Sequence, residues 1–177
     1  SDVYKRQKPN DAPYKKGAKY TGKEHVWDEA FGYWGAAAHT LTLSPKESYE
    51  VAKKKSLAAA DYNKDGVVDA GTEMTYAHAY YASGFDKGGK TNYLETVTRA
   101  FLTGRETITS AKGQKLGWNG RNSGKGIIKQ AAIICSNWEK VIAEAVFKYA
   151  GSVYKDLENM KENTGDAKML GKYVKHW

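Results

Sequence analysis

From residue 24 onward, apolar positions recur mostly at three- and four-residue intervals, the spacing that lines one face of a helix. Trp27, Phe31 and Trp34 set this rhythm within 27–39. Gly35 and the run Thr40-Leu41-Thr42-Leu43 then weaken or end the helix. Ser44-Pro45-Lys46-Glu47 is a helix start: Ser44 caps, Pro45 fits the first helical position, and Glu47 closes a capping box. That helix is expected to reach about Ala60. Thr72 can cap the next one, with Glu73 in its first turn, Met74, Ala77, Tyr80 and Tyr81 along it, and an end near Gly84.

A helix over 91–112 follows the Gly88-Gly89 linker, with Leu94, Val97, Phe101, Leu102 and Ile108 as its stripe. Residues 113–126 hold five glycines and read as a loop. A long helix over about 126–160 carries Ile127, Ala131, Ile134, Trp138, Val141, Ala145, Val146 and Tyr149, with Gly151 as a point of bending. Gly165-Asp166 opens a last helix with Met169, Leu170, Tyr173 and Val174. Strand alternation is absent except briefly at 40–43. The expected fold is all-α, an up-and-down helical bundle with an inserted calcium-type loop. Residues 1–7 (SDVYKRQ) read as a non-native leader, 8–23 as an irregular lead-in, and 24–177 as one helical domain truncated at its C-terminus.

The chain has 177 residues and a formal charge of +8, which raises the question of nucleic acid. Its lysines are scattered and it has few arginines, the better readers of bases and phosphates, so no nucleic-acid partner is expected. No stretch approaches the ~18 consecutive apolar residues of a membrane span. One cysteine excludes a disulfide framework, and Cys135, within the apolar stripe region, is expected to be a buried core thiol. Gly120-Arg-Asn-Ser-Gly124-Lys125-Gly126 is one residue short of a phosphate loop, lacks Ser or Thr after the lysine, and follows no strand.

Two constellations carry chemistry. Residues 61–69 fit D-x-N-x-D-G-x-x-D. Alternate residues Asp61, Asn63 and Asp65 can aim side-chain oxygens at one centre, Gly66 permits the turn, Val67 offers its carbonyl, and Asp69 adds a carboxylate. Val68 is apolar and would anchor the loop to the core. Loop position 12, where an EF-hand has a bidentate Glu, is Thr72, so Glu73 is expected to reach in instead. The expected occupant is Ca²⁺, clamping the helix before the loop to the helix after it.

The second constellation is a polar face opposite the aromatic stripe, formed by His25, Asp28, Glu29, Gly32, Ala36 and His39. His25 and Glu29, an i,i+4 pair, can share an ion or pair with each other. Together with Asp28 they are a candidate second site for iron or another transition metal, or for a small iron-bearing ligand. His78 is the expected partner from elsewhere, and His176 a further one.

The stretch Glu24-His25-Val26-Trp27-Asp28-Glu29-Ala30-Phe31-Gly32-Tyr33-Trp34-Gly35 resembles the signature of the DUF4856 family of bacterial envelope proteins. The acidic loop and Lys175-His176-Trp177 fit the same resemblance over most of 20–177. It implies an extracytoplasmic location and a distant likeness to imelysin-like proteins, which are helical and linked to iron uptake. Their Gly-x-His-x-x-Glu pattern falls on 23–28, with Lys23 at the Gly position, Asp28 at the Glu position and Glu29 one residue later. The resulting expectation is a cell-envelope binding protein, with a hydrolase acting through Asp28 or Glu29 as a third and more distant reading. Its alternative is a structural or interaction module, contacting a protein partner, in which calcium only clamps two helices.

Overall fold

The computed structural model describes residues 9–114, 116 and 124–174. They form seven helices, a 3-10 turn at Thr40–Thr42 and no strand: α1 Gly22–Trp34, α2 Pro45–Ala52, α3 Leu57–Ala60, α4 Ala77–Asp86, α5 Tyr93–Ser110, α6 Gly124–Glu162 and α7 Ala167–Val174. The all-α expectation is met. The leader at 1–7, Gly120 to Ser123 of the phosphate-loop look-alike, and Lys175, His176 and Trp177 lie outside the described residues. The chain divides into two compact units, Ser1–Glu139 and Lys140–Trp177. Helix α6 supplies residues to both.

In the first unit α1 packs on α5 and α4, α2 packs on α4, and α4 on α5. Trp34 is fully buried at the C-terminal end of α1, donates its indole N–H to Thr98 Oγ1 at 3.2 Å, and meets Trp138 edge to face at 5.2 Å. Phe101 takes the edges of Trp27 and Phe31, and Trp27 Nε1 donates to the Phe101 carbonyl at 2.8 Å. Gly104 makes this seam possible, because a methyl group there would run into the Trp27 ring. The aromatic spacing seen in the sequence therefore marks core packing.

Several helix limits differ from the sequence expectation. Helix α1 begins earlier, at Gly22, because Thr21 and Glu24 form a capping box. The capping box of Ser44 and Glu47 starts α2 as expected. That helix stops at Ala52 instead of continuing to 60. Lys54 takes the left-handed conformation (φ 57°), Lys54 N–H donates to Val51 O, and Lys55 N–H to Glu50 O, which together make a Schellman end. Helix α4 begins at Ala77, not at Thr72. The intervening backbone is spent elsewhere: Thr72 O accepts from Ala38 N–H at 2.7 Å, and Tyr76 N–H donates to Gly35 O at 2.7 Å. Gly35 is required there, since its φ is 81° and a Cβ would lie 2.8 Å from Tyr76 O.

Asp86 caps α5 from the end of α4. It is buried (3% exposed), and its carboxylate accepts from Thr91 Oγ1 (2.6 Å), Tyr93 N–H (2.9 Å) and Leu94 N–H (2.7 Å), closing the N-terminal end of α5. In the second unit, Asp166 caps α7 by accepting from the amides of Lys168 and Met169. Cys135 is exposed, which corrects the expectation of a core thiol. It sits one residue past the buried Ile134, about 100° further round α6 and off the packed side.

Candidate metal loop and the His25 face

The acidic loop leaves the small core of Val51, Ala60 and Met74 and returns to it. Leu43, Ala59 and Val68 pack against that core, so Val68 anchors the loop as its apolar character suggests. Around this anchor the loop is organised by its own oxygens. Asp61 accepts from the amides of Asp65 (3.2 Å) and Gly66 (3.0 Å). Asn63 Oδ1 accepts from Asp65 N–H at 2.9 Å, and Asp65 Oδ1 from Val67 N–H at 2.8 Å. Asp69 Oδ1 accepts from Gly71 N–H at 2.7 Å. Lys64 and Gly66 both adopt positive φ, 59° and 84°, which curls the chain around these side chains.

Glu73 completes the ring. Its carboxylate is buried (5% exposed) and crosses the loop. Oε1 accepts from Tyr62 N–H (3.1 Å) and Asn63 N–H (3.3 Å), and Oε2 from Asp69 N–H (2.9 Å). Glu73 does reach in, although from a turn whose amides at Thr72 and Glu73 donate to Asp69 O, and not from a helix start. Among the described residues, no three His, Cys, Asp or Glu side chains converge as a preformed metal cluster. The loop oxygens face amide hydrogens along one turn.

His39 lies beside this loop. Continued helical phase would put it on the His25 face, but α1 ends at Trp34 and the phase is lost at Gly35. His39 is buried, donates from Nε2 to the Ala59 carbonyl at 3.1 Å, and stacks on Tyr62 at 5.0 Å. Its Nδ1 has no partner.

On α1, His25 stacks on Tyr14 at 3.8 Å, and its Nε2 is 4.0 Å from Glu29 Oε2. Asp28 points to a different partner. Arg105 from α5 donates through Nε to Asp28 Oδ1 (2.7 Å) and through Nη1 to Glu24 Oε1 (2.8 Å), and Thr109 is bonded to both Arg105 and Glu24. Burial pushes the Glu24 carboxyl up. The Thr21 amide and the Arg105 charge outweigh it and hold the group below the usual carboxylate range. Burial likewise disfavours the Arg105 cation, and Asp28 and Glu24 more than restore it. His78, the expected partner of His25, instead lies against Trp138 at 5.1 Å with its Nδ1 buried and unpaired. No local sequence signal points to Arg105, because nothing local links α5 to residues some 80 positions earlier.

Comparison with protein-family models, curated proteins and solved structures finds no match to this chain.

Proposed function

We propose that the chain is a calcium-clamped helical module that works by binding a partner and not by catalysis. One observation carries this reading: Asp61, Asn63, Asp65, Asp69 and Glu73 supply side-chain oxygens around a single turn, with the buried Glu73 carboxylate closing it from the far side. Ca²⁺ takes six to eight oxygens in flexible geometry, and carboxylates, an amide and the Val67 carbonyl are the hard donors it prefers. Binding would swing loop oxygens from amide hydrogens to the ion. Val68 and Glu73 would then fix the end of α3 to the segment entering α4, which is how an inserted calcium-type loop would brace a helical bundle.

The His25 face fits this module better as a packing element. Asp28 is already neutralised by Arg105, which leaves His25 and Glu29 as a pair, and a transition-metal site with only two protein ligands is weak. Iron handling therefore forms the second reading, and the envelope location and imelysin-like kinship rest on the sequence resemblance. No helix among the described residues is long and apolar enough to cross a membrane.

The test is calorimetric titration of the chelator-treated protein with Ca²⁺ and, separately, with Fe²⁺ and Zn²⁺. One calcium per chain, lost in Asp61→Ala with Asp65→Ala, supports the clamp. Transition-metal binding that disappears in His25→Ala while calcium binding persists would transfer the function to the His25 face. No calcium binding at millimolar concentration would reject the proposal.

A further inference from the structure

The segment leading into α1 is a closed, exposed turn. Pro13 and Thr21 form an antiparallel bridge, Tyr14 N–H donates to Tyr20 O at 2.9 Å, and Ala18 N–H donates to Lys15 O at 2.9 Å. Gly17 takes φ 83° at the tip, with open space where a Cβ would stand. Beneath the tip, Tyr14, Tyr20 and His25 stack with interplanar angles of 20° to 28°, which gives the turn a stiff base. Both tyrosines are exposed, at 41% and 38%.

Lys15, Lys16 and Lys19 are exposed on this turn. Among the described residues, none of the three has a carboxylate within ion-pair distance. The neighbouring Glu24 and Asp28 are held by Arg105, and Glu29 faces His25. Among the described residues, the three tip ammonium groups therefore stand without a paired carboxylate. Lys15, Lys16 and Lys19 fall within five residues of sequence, and the turn presents all three to solvent.

We propose that this turn docks on an anionic lipid bilayer. Shape decides the class of partner. A polymer chain such as single-stranded nucleic acid is tracked by a groove. The turn is exposed with open space around Gly17, and its residues line neither of two clefts in the first unit, one bounded by Leu102, Arg105 and Ser110 and the other by Lys53, Thr75 and Tyr80. A flat anionic surface can meet an exposed tip of this kind. Lysines near such a surface each contribute to binding, and tyrosines sit well at the headgroup level. The tip has only Gly17 and Ala18 between its lysines, so it has nothing large and apolar to insert. The contact is electrostatic and sensitive to salt.

Co-sedimentation of the full chain with vesicles tests this, using 7:3 phosphatidylcholine:phosphatidylglycerol against pure phosphatidylcholine, in EDTA to exclude calcium bridging. Binding is expected only to the anionic vesicles and should fall as salt rises. Each lysine replaced by Gln is expected to weaken partitioning roughly five-fold, so Lys15→Gln with Lys16→Gln and Lys19→Gln should cost on the order of a hundred-fold. The control is Lys46→Gln with Lys90→Gln and Lys129→Gln, three exposed lysines elsewhere. An equal loss in the control would show a net-charge effect and overturn the site. So would tighter binding to a single-stranded oligonucleotide or an acidic polysaccharide than to vesicles, or no anionic-vesicle binding at all. Because EDTA is present throughout, these outcomes are independent of the calcium loop.

Discussion

Glu73→Ala removes the side chain that holds the acidic loop closed. In the structure its carboxylate accepts from three amides, those of Tyr62, Asn63 and Asp69. A hydrogen bond to a charged group is worth about 1.5–3 kcal/mol. The three are not additive, and Tyr62 and Asn63 are exposed, so water recovers part of the loss. We expect a net cost of about 3 kcal/mol without calcium. At about 2–4 °C per kcal/mol for a chain of this size, the Tm should fall by roughly 6–12 °C. Calcium should widen the gap. At a hundred-fold excess over Kd the ion adds about 2.7 kcal/mol to the parent protein, and a variant missing a ligand gains less. The assay is thermal unfolding followed by tryptophan fluorescence, since Trp27, Trp34 and Trp138 all report on the first unit. A Tm change within about 1 °C in EDTA would refute the idea that Glu73 ties the loop to the core. Equal stabilisation of parent and variant by calcium would remove Glu73 from the ligand set.

Other substitutions probe the scaffold. Asp86→Ala should cost about 3–4 kcal/mol, because it strips the buried cap of α5 from two amides and a hydroxyl, and Asp86→Asn should cost roughly half as much; denaturant unfolding measures both. Gly104→Ala should cost on the order of 1–3 kcal/mol by overpacking against Trp27, and should perturb the near-ultraviolet circular dichroism of the aromatic seam. The pH dependence of Glu24 has a definite sign. Its folded pKa is depressed, so its contribution is present above the unfolded value of about 4.3 and is lost as pH falls through the folded value. Glu24→Gln should therefore flatten the stability profile on the acid side, which melts between pH 6 and pH 3 would show.

The local signals along the chain settle what local physics controls. The capping box of Ser44 and Glu47 starts α2 because both partners lie within one turn. The D-x-N-x-D-G spacing curls the loop because each side chain meets an amide a few residues ahead. The 3–4 rhythm of Trp27, Phe31 and Trp34 marks a buried face because burial follows helical phase for as long as the helix lasts. Tertiary structure decides where that phase ends. Gly35 and Tyr76 pair across the fold and delay α4 to Ala77, and the same break carries His39 away from the His25 face to the side of the loop. The fate of Asp28 depends on Arg105, and the charge of the turn at Lys15, Lys16 and Lys19 depends on which carboxylates are already paired. No window of sequence contains those pairings: the chain specifies its turns and faces locally, whereas the partners of its charged groups are fixed only when distant helices pack.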